Sequence, residues 1–352
     1  MEKSYKAIVS GRQKGLTSFL VRGFLWGLTF AYQGIIWWRN RNYDLGKGVQ
    51  RADCFVISIG NLTTGGTGKT PLACYLAKKL RELDLRVALL SRGYRADSRG
   101  INDEALELEF RLPDVPHLQD PNRKKIADIA CVELQSEVLI LDDGFQHRQL
   151  HRDLDLLVID ATLPFGYGYL LPRGQLREPV ANLKRADLVV INRCNLVSRQ
   201  QIADLKMIIR EVQPKIKICE ADTVPSDLID HQGNLQPLDS LKNQKAVAFC
   251  GIGNPDGFRA TLAGLDVNLV DFLEFPDHHS FSREDIASLE AWSQQHPDIE
   301  LILCTHKDLV KINLERLGKK RLRAVLISNK IRLRERILWQ TINEKMQQPP
   351  GW

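Results

Sequence analysis

The chain has 352 residues, of which 43% are apolar and 26% are charged. This composition is typical of a soluble globular protein and excludes disordered, collagen-like and multispan membrane classes. The length predicts two domains, or one large one. The seven cysteines form no C-x-x-C pair and mostly lie in apolar runs, so we expect buried, reduced thiols rather than a disulfide framework or a zinc site.

The net charge of +6 is concentrated at the N-terminus. Residues 1–51 carry nine Lys or Arg and two acidic side chains, whereas the remaining chain is nearly balanced, with 40 basic and 41 acidic residues. That balance argues against a nucleic-acid partner. Because the basic end also holds three of the six tryptophans, residues 1–50 are predicted to contact an anionic membrane surface.

The apolar segment from Gly23 to Trp38 has three possible interpretations. Its 16 residues fall short of the roughly 20 that a transmembrane helix needs, and Arg39 follows where a signal peptide would have a cleavage site of small residues. We therefore predict that residues 1–50 form a helical segment that lies in the membrane interface. A helix packed on the protein's own core is the alternative that this pattern leaves open.

Short apolar runs alternate with helix-period segments from residue 54 onward. The runs are Cys54–Ile59, Arg86–Leu90, Val138–Leu141, Leu154–Ile159, Leu188–Ile191, Lys215–Cys219, Ala246–Cys250, Glu300–Cys304 and Ala324–Ile327. Such runs separated by helices predict an α/β fold with a parallel sheet covered on both faces. A polar stretch interrupts the rhythm, so we predict a first α/β domain over 51–220, a linker over 221–245 and a second α/β domain over 246–350.

A glycine-rich segment joins the first apolar run to the helix that follows. It contains, in order, Gly65, Gly66, Thr67, Gly68, Lys69 and Thr70. Backbone N–H groups in such a turn surround phosphate oxygens, and the helix N-terminus adds positive potential. We expect Lys69 to reach the β- and γ-phosphates of a nucleotide and the Thr70 hydroxyl to bind Mg²⁺. Thr63 stands where the usual pattern has its first glycine.

Paired carboxylates end the apolar run that begins at Val138. In P-loop NTPases an aspartate at such a strand end holds the Mg²⁺ bound by the loop hydroxyl, which makes Asp142 the candidate metal ligand. Asp143 is predicted to be a second metal contact or to orient the substrate. Without the phosphate loop, the Asp-Asp-Gly sequence would be interpreted as a turn.

Seven motifs follow one another in an order that indicates a specific family. They are Ser58-Ile-Gly-Asn-Leu-Thr-Thr-Gly-Gly-Thr-Gly-Lys-Thr-Pro71, Leu90-Ser-Arg-Gly-Tyr94, Asp142-Asp-Gly-Phe-Gln-His-Arg148, Leu171-Pro-Arg-Gly-Gln-Leu-Arg-Glu-Pro179, Phe249-Cys-Gly-Ile-Gly-Asn-Pro255, Phe275-Pro-Asp-His-His279 and Thr305-His-Lys-Asp-Leu-Val-Lys311. Together they resemble the tetraacyldisaccharide 4′-kinase family of lipid A synthesis. The resemblance implies two α/β/α sandwich domains facing a cleft, the first with a P-loop NTPase-type parallel sheet, and an N-terminal hydrophobic helix.

The resemblance also implies a reaction and a location. The family transfers the γ-phosphate of ATP, with Mg²⁺, to the 4′-hydroxyl of a tetraacylated glucosamine-disaccharide lipid. The enzyme is then a peripheral or monotopic protein on the cytoplasmic face of the inner membrane. No obligate protein partner is expected.

Carried onto this sequence residue by residue, the resemblance implies roles for several further side chains. Gln146 and His147 would bind substrate beside the metal-linked Asp142 and Asp143. The nucleotide- and substrate-facing pair of the family corresponds to Arg177 and Glu178 in the Leu-Arg-Glu-Pro segment.

The proton acceptor is also implied by the resemblance. The family's Gly-Asp-Glu-Pro stretch corresponds to Asn102-Asp-Glu-Ala105, which makes Asp103 the predicted base. His278, from the Phe-Pro-Asp-His motif, would orient it or share the proton. Because the residues flanking Asp103 differ from the family pattern, Glu104 and Asp143 are the alternatives.

A membrane-bound P-loop switch ATPase is the competing function from a different class. Proteins of that class carry a lysine just before the Gly-Gly of the loop, and Thr64 stands there in this chain. The ordered motifs beyond residue 90 favour the kinase.

Overall fold

The computed structural model describes residues 2–11, 13–93, 103–277, 279–332 and 335–348, and the side chains of residues 2–4, 6 and 103–105 lie outside this description. The chain forms two compact units. Unit 1 contains Met1–Arg92, Leu118–Thr223 and Lys330–Trp352, and unit 2 contains Gly93–His117 and Val224–Asn329.

Helices and strands alternate over most of the described chain. The helices are α1 (Glu2–Val9), α2 (Leu16–Asp44), α3 (Lys69–Arg81), α4 (Asp103–Arg111), α5 (Arg123–Val132), α6 (Arg199–Val212), α7 (Pro255–Ala263), α8 (Arg283–Gln294), α9 (His306–Ile312) and α10 (Glu335–Met346). The strands are β1 (Phe55–Gly60), β2 (Val87–Ser91), β3 (His117–Gln119), β4 (Val138–Asp142), β5 (Leu154–Asp160), β6 (Leu188–Asn192), β7 (Lys217–Ile229), β8 (Leu235–Pro237), β9 (Lys245–Cys250), β10 (Asn268–Glu274), β11 (Leu301–Thr305), β12 (Arg316–Leu317) and β13 (Lys320–Ile331). Every predicted apolar run overlaps one of these strands, so the predicted α/β class is confirmed.

The strands of unit 1 follow the order β7-β6-β5-β1-β4-β2-β3. Strand β1 pairs in parallel with β4 on one side and with β5 on the other, and Ile59 is in register with Asp142. Because the carboxyl ends of parallel strands meet at one edge of a sheet, the loop after β1 and the carboxylates at the end of β4 lie side by side.

Helix α3 packs on this sheet through one apolar stripe. Leu72, Leu76 and Leu80, spaced four residues apart, are all fully buried, as expected for side chains that share one face of a helix. Pro71 lies in the first turn, where its missing N–H has no intrahelical partner to lose. This packing fixes the start of α3 at the end of the phosphate loop.

Helix α2 is longer than its apolar stretch suggested. It runs for 29 residues from Leu16 to Asp44 and is long and apolar enough to cross a membrane, by length and composition alone. The prediction that the segment is too short to span was therefore wrong. Polar residues on both sides of the apolar stretch, including Arg39 and Arg41, continue the helix.

Most of the apolar surface of α2 is exposed. Its buried side chains are Ser18, Thr29, Ile36 and Asn40, whereas Phe24, Trp37 and Trp38 are 62–68% exposed. A core helix would bury its large apolar side chains and expose its small polar ones. The alternative of a helix packed in the core is therefore wrong for α2, which rests on unit 1 through a narrow face.

The strands of unit 2 follow the order β10-β9-β11-β13 and pair in parallel. Alternate residues of β9 enter two different apolar clusters, with Val247 and Phe249 in one and Ala246 and Ala248 in the other. Since successive side chains of a strand point to opposite faces, a sheet buried on both faces requires the continuous apolar run seen in the sequence. The short strand β12 pairs antiparallel to β13.

The stretch predicted as a linker, 221–245, contains regular structure. It holds the second half of β7 and the antiparallel strand β8, with Asp227 in register with Pro237. Asp230 closes the turn between them by accepting the backbone N–H groups of Gln232 and Asn234. The units also take in segments that the predicted boundaries did not assign to them, because residues 93–117 belong to unit 2 and residues 330–352 to unit 1.

Two of the seven cysteines are paired. A disulfide joins Cys54 and Cys131, whose Cα atoms lie 6.0 Å apart, so the prediction of reduced thiols was wrong for this pair. Both residues pack at the margin of the apolar cluster that α5 forms with β1, β2 and β4, and this packing brings them together across 77 residues of sequence. The other five cysteines are buried and lie outside this disulfide, as predicted.

Candidate active site

The phosphate loop lies between the end of β1 and the start of α3. Gly65 and Gly68 have φ values of 110° and 87°, in the left-handed region where a side chain would be strained. Gly65 and Gly66 are exposed, whereas Thr67 is buried. The loop thus turns its glycine backbone to solvent at the helix N-terminus, which is the arrangement that binds phosphate.

Asp143 connects the loop lysine to a second cation. Its Oδ1 lies 3.3 Å from Lys69 Nζ, and its Oδ2 accepts a hydrogen bond of 2.7 Å from Arg177 Nη1. Burial alone would raise the pKa of the Asp143 carboxyl, but Lys69 and Arg177 outweigh it and hold this pKa well below its ordinary value. Asp143 is therefore ionised at neutral pH, and its negative charge is offset by Lys69 on one side and by Arg177 on the other.

Asp142 ends β4 and is 4% exposed. Its Oδ1 accepts the backbone N–H of Asp143 at 2.9 Å, and its main-chain oxygen accepts from Arg123 Nη1 at 3.1 Å. Thr70 lies in the first turn of α3, the position from which a hydroxyl reaches a nucleotide-bound metal. These hard oxygen donors fit Mg²⁺, which takes one or two protein ligands together with phosphate oxygens and water.

Larger protein metal sites are absent from the part of the chain that the structure describes. No three or more His, Cys, Asp or Glu side chains gather there as a ligand group.

Gln146 and His147 follow the paired carboxylates, as predicted from the motif. Gln146 Nε2 donates to Asn61 O at 2.8 Å, and its Oε1 accepts from Arg177 Nη1 at 3.3 Å, so this amide braces the loop against Arg177. Burial, assisted by the charge of Arg123, lowers the pKa of His147 to about 4. His147 is therefore neutral at pH 7.

Glu178 departs from its predicted role beside the nucleotide. Its side chain is fully buried and is bound by Arg39 at 2.9 Å and Arg185 at 2.8 Å. Asn182 Nδ2 and Asn40 Nδ2 donate to it at 2.7 and 3.2 Å. Its carboxylate is directed at α2 and at the segment that follows it, so the prediction of a nucleotide-facing pair was wrong for Glu178. Arg177, the other member, does lie at the site.

Two buried polar residues at the site were missed by sequence reasoning. Arg123, at the start of α5, donates to the main-chain oxygens of Leu90 and Asp142, and burial lowers its pKa to about 10. Asn192, at the end of β6, donates to Thr67 O at 3.0 Å and so supports the loop from below. The only available signal for Asn192 was its place as the polar residue that ends an apolar strand.

The predicted base lies in unit 2. Asp103 is the first residue of α4, but its side chain and the whole of His278 lie outside the described residues. Helix α4 is anchored by Glu107, whose Oε1 contacts Arg111 at 3.3 Å and His306 at 3.9 Å. Burial would raise the pKa of Glu107, but His306 and the nearby cations lower it to about 2. The middle and the end of α4 are therefore held by a buried charge cluster.

Comparison with known proteins identifies the family. The sequence pattern of LpxK, tetraacyldisaccharide-1-P 4′-kinase, matches residues 21–347. The chain belongs to this family. A tetraacyldisaccharide 4′-kinase of Halothermothrix orenii is 38% identical over 294 residues, which cover 75% of this chain and 76% of the relative. One of Anaeromyxobacter sp. (strain Fw109-5) is 38% identical over 309 residues and 82% of each chain.

A solved structure agrees with this assignment. LpxK from Aquifex aeolicus, crystallised in complex with ATP, superposes with a TM-score of 0.74 and 31% identity, covering 93% of this chain and 99% of that one. The resemblance found in the seven motifs is thus confirmed, and the LpxK-family chain described here is an ATP-dependent kinase.

Proposed function

We propose that this LpxK-family kinase transfers the γ-phosphate of ATP to the 4′-hydroxyl of a tetraacylated glucosamine-disaccharide lipid, the lipid A precursor. The observation that carries the proposal is the loop–carboxylate arrangement, with Lys69 Nζ 3.3 Å from Asp143 at the edge where β1 and β4 end. It occurs in a chain whose family pattern extends over residues 21–347.

In this proposal the loop and its neighbours position the phosphates and offset their charge. The backbone N–H groups at Thr67 and Gly68 surround phosphate oxygens, and Lys69 follows the γ-phosphoryl group during transfer. Thr70 and Asp142 would hold Mg²⁺, which when bound neutralises charge on the β- and γ-phosphates. Arg177 keeps Asp143 neutralised while Lys69 serves the nucleotide.

The lipid hydroxyl requires a proton acceptor, because an alcohol is a weak nucleophile until its proton can leave. We assign this role to Asp103, with His278 orienting it or sharing the proton. The anchoring of α4 by Glu107 and His306 supports a fixed position for the backbone of Asp103. Gln146 and His147 would bind the substrate beside Asp143.

The acceptor is a lipid, and the proposed location follows from α2. Trp37 and Trp38 are 62% and 66% exposed beside Arg39 and Arg41, which matches side chains that lie at the headgroup level of an anionic surface. We propose that α2 holds the enzyme at the cytoplasmic face of the inner membrane.

A substrate analogue tests the proposed acceptor. Purified full-length protein in detergent micelles is given Mg²⁺–ATP and either the tetraacylated disaccharide monophosphate or its 4′-deoxy analogue. We expect a mass increase of one phosphoryl group on the first lipid and none on the second. Equal phosphorylation of both lipids would contradict transfer to the 4′-hydroxyl.

A further inference from the structure

The segment from Leu170 to Glu178 lies between α2 and the phosphate loop. On the loop side, Thr64 N donates to Gln175 O at 2.8 Å, and Arg177 N donates to Leu62 O at 2.7 Å. These bonds make the segment a short partner strand of the loop. Any shift of its backbone is therefore transmitted directly to the loop and to the side chain of Arg177.

On the other side, α2 holds the same segment at consecutive residues. Tyr32 OH donates to Arg177 O at 2.9 Å, and Arg39 and Asn40 bind the Glu178 carboxylate. The carboxylate is fully buried, so its hydrogen bonds are not exchanged with water. Since a buried carboxylate needs its partners to offset desolvation, Glu178 fixes the backbone next to Arg177 firmly to α2.

Arg177 has a definite task at the other end of this connection. It binds the same carboxylate, Asp143, that pairs with Lys69. When Lys69 turns to nucleotide phosphates, Arg177 stays paired with Asp143 at 2.7 Å and reduces the repulsion between this carboxylate and the phosphates. Displacement of Arg177 would therefore weaken ATP binding even with Lys69 intact.

We propose that Tyr32 and Glu178 are positioning residues through which helix α2 places Arg177 on Asp143 and so sets the affinity of the phosphate loop for ATP. The proposal goes beyond a membrane-anchoring role for α2 and rests on the proposed nucleotide site. It does not depend on the lipid acceptor, because ATP affinity is measured without one.

The test is a double-mutant cycle on the dissociation constant of Mg²⁺–ATP for the full-length protein in micelles. Tyr32→Phe removes one hydroxyl and keeps the ring, and we expect it to weaken ATP binding about three- to tenfold, the usual effect of one hydrogen bond. Glu178→Gln should weaken it more. In an Arg177→Ala background, both substitutions should change the constant by less than about twofold, because coupled residues are not additive.

A matched control lies on the same helix. Gln33 follows Tyr32 on α2 and is exposed, so Gln33→Ala should leave ATP affinity unchanged. Thermal unfolding of every variant is measured in parallel. If Glu178→Gln does not fold, Tyr32→Phe alone decides the outcome. The proposal would be overturned if each substitution weakened ATP binding by the same factor in the Arg177→Ala background as in the wild-type protein. Unchanged ATP affinity in Tyr32→Phe would also overturn it.

The two proposals fail in different ways. If the variants show the expected coupling and the wild-type protein binds ATP but leaves the disaccharide lipid unmodified, only the proposed acceptor is contradicted. Wild-type protein that phosphorylates the lipid but shows no coupling between Tyr32 and Arg177 would contradict the positioning role alone.

Discussion

Lys69 Nζ lies 3.3 Å from Asp143 Oδ1, so the cation that is expected to serve the nucleotide is already paired with a carboxylate. A phosphate chain carries more negative charge than one carboxylate and competes for the same ammonium group. Arg177, at 2.7 Å from the other oxygen of Asp143, remains as its partner. The site is thus arranged so that Lys69 can change partners without leaving an unpaired charge at the loop.

Removing Lys69 tests the loop assignment. We expect Lys69→Ala to lower kcat by about 10²–10³-fold, the usual effect of losing a donor to developing charge, while the fold is retained. Lys78→Ala is the control, because Lys78 lies on the same helix at an exposed position. Turnover assays with saturating ATP decide the matter, and near-normal activity in Lys69→Ala would mean that the loop does not hold the phosphates.

The predicted base has a kinetic signature. Asp103→Ala should lower kcat by about 10²–10⁴-fold, the range for general-base catalysis, with little change in ATP affinity. Glu109→Gln provides the control, since Glu109 is an exposed carboxylate on the same helix α4. The double variant Asp103→Ala and His278→Ala should lower kcat by less than the product of the two single decreases. A normal kcat in Asp103→Ala would show that Asp103 is not the base and would leave Glu104 or Asp143 as the candidates.

How far the sequence predicted this site depended on whether the signal was local. Glycine spacing and a strand-ending Asp-Asp pair are local signals, and the structure brings the loop lysine and Asp143 to within 3.3 Å of each other. Arg177 and Glu178 are adjacent in an extended segment, where successive side chains point in opposite directions. They therefore could not both face the nucleotide, and only tertiary packing shows that Glu178 is the one directed at α2.

The elements of the fold also differ in how clearly the sequence predicts them. Fully buried strands such as β4 and β5 were evident as continuous apolar runs. The edge strand β10 was missed because half-exposed residues such as Asn268 and Asp271 interrupt its apolar pattern. The disulfide between Cys54 and Cys131 joins residues 77 positions apart, and nothing in either neighbourhood indicated the other.

The exposed face of α2 gives a prediction for membrane binding. The double variant Trp37→Ser and Trp38→Ser should bind phosphatidylglycerol-rich vesicles at least about tenfold more weakly. Binding of this variant no longer removes two large apolar side chains from water. Met207→Ser is the control, since Met207 is 57% exposed on α6. ATP affinity should stay constant, as Tyr32 and Arg39 are untouched. Sedimentation that is identical to wild type would locate the membrane contact elsewhere.

His147 predicts a pH dependence of stability. Its folded pKa of about 4 lies below the ordinary value of 6.5, so between these values the unfolded chain binds the proton and the folded chain does not. Stability therefore rises with pH across this window and is lost on acidification. Between about pH 7 and pH 5 the loss is on the order of 2 kcal/mol. Urea unfolding of His147→Gln should lack this component, and a pH dependence equal to that of wild type would contradict the shifted pKa.

The fate of the γ-phosphate tests the central claim most directly. Full-length protein is incubated with Mg²⁺, γ-labelled ATP and the tetraacylated disaccharide monophosphate, and labelled lipid and labelled inorganic phosphate are measured in the same reaction. The lipid kinase predicts label in the lipid, about 10²–10³-fold slower labelling with Lys69→Ala, and little inorganic phosphate when lipid is omitted. Label released only as inorganic phosphate, at one rate with and without lipid, would contradict the kinase and indicate a P-loop switch ATPase.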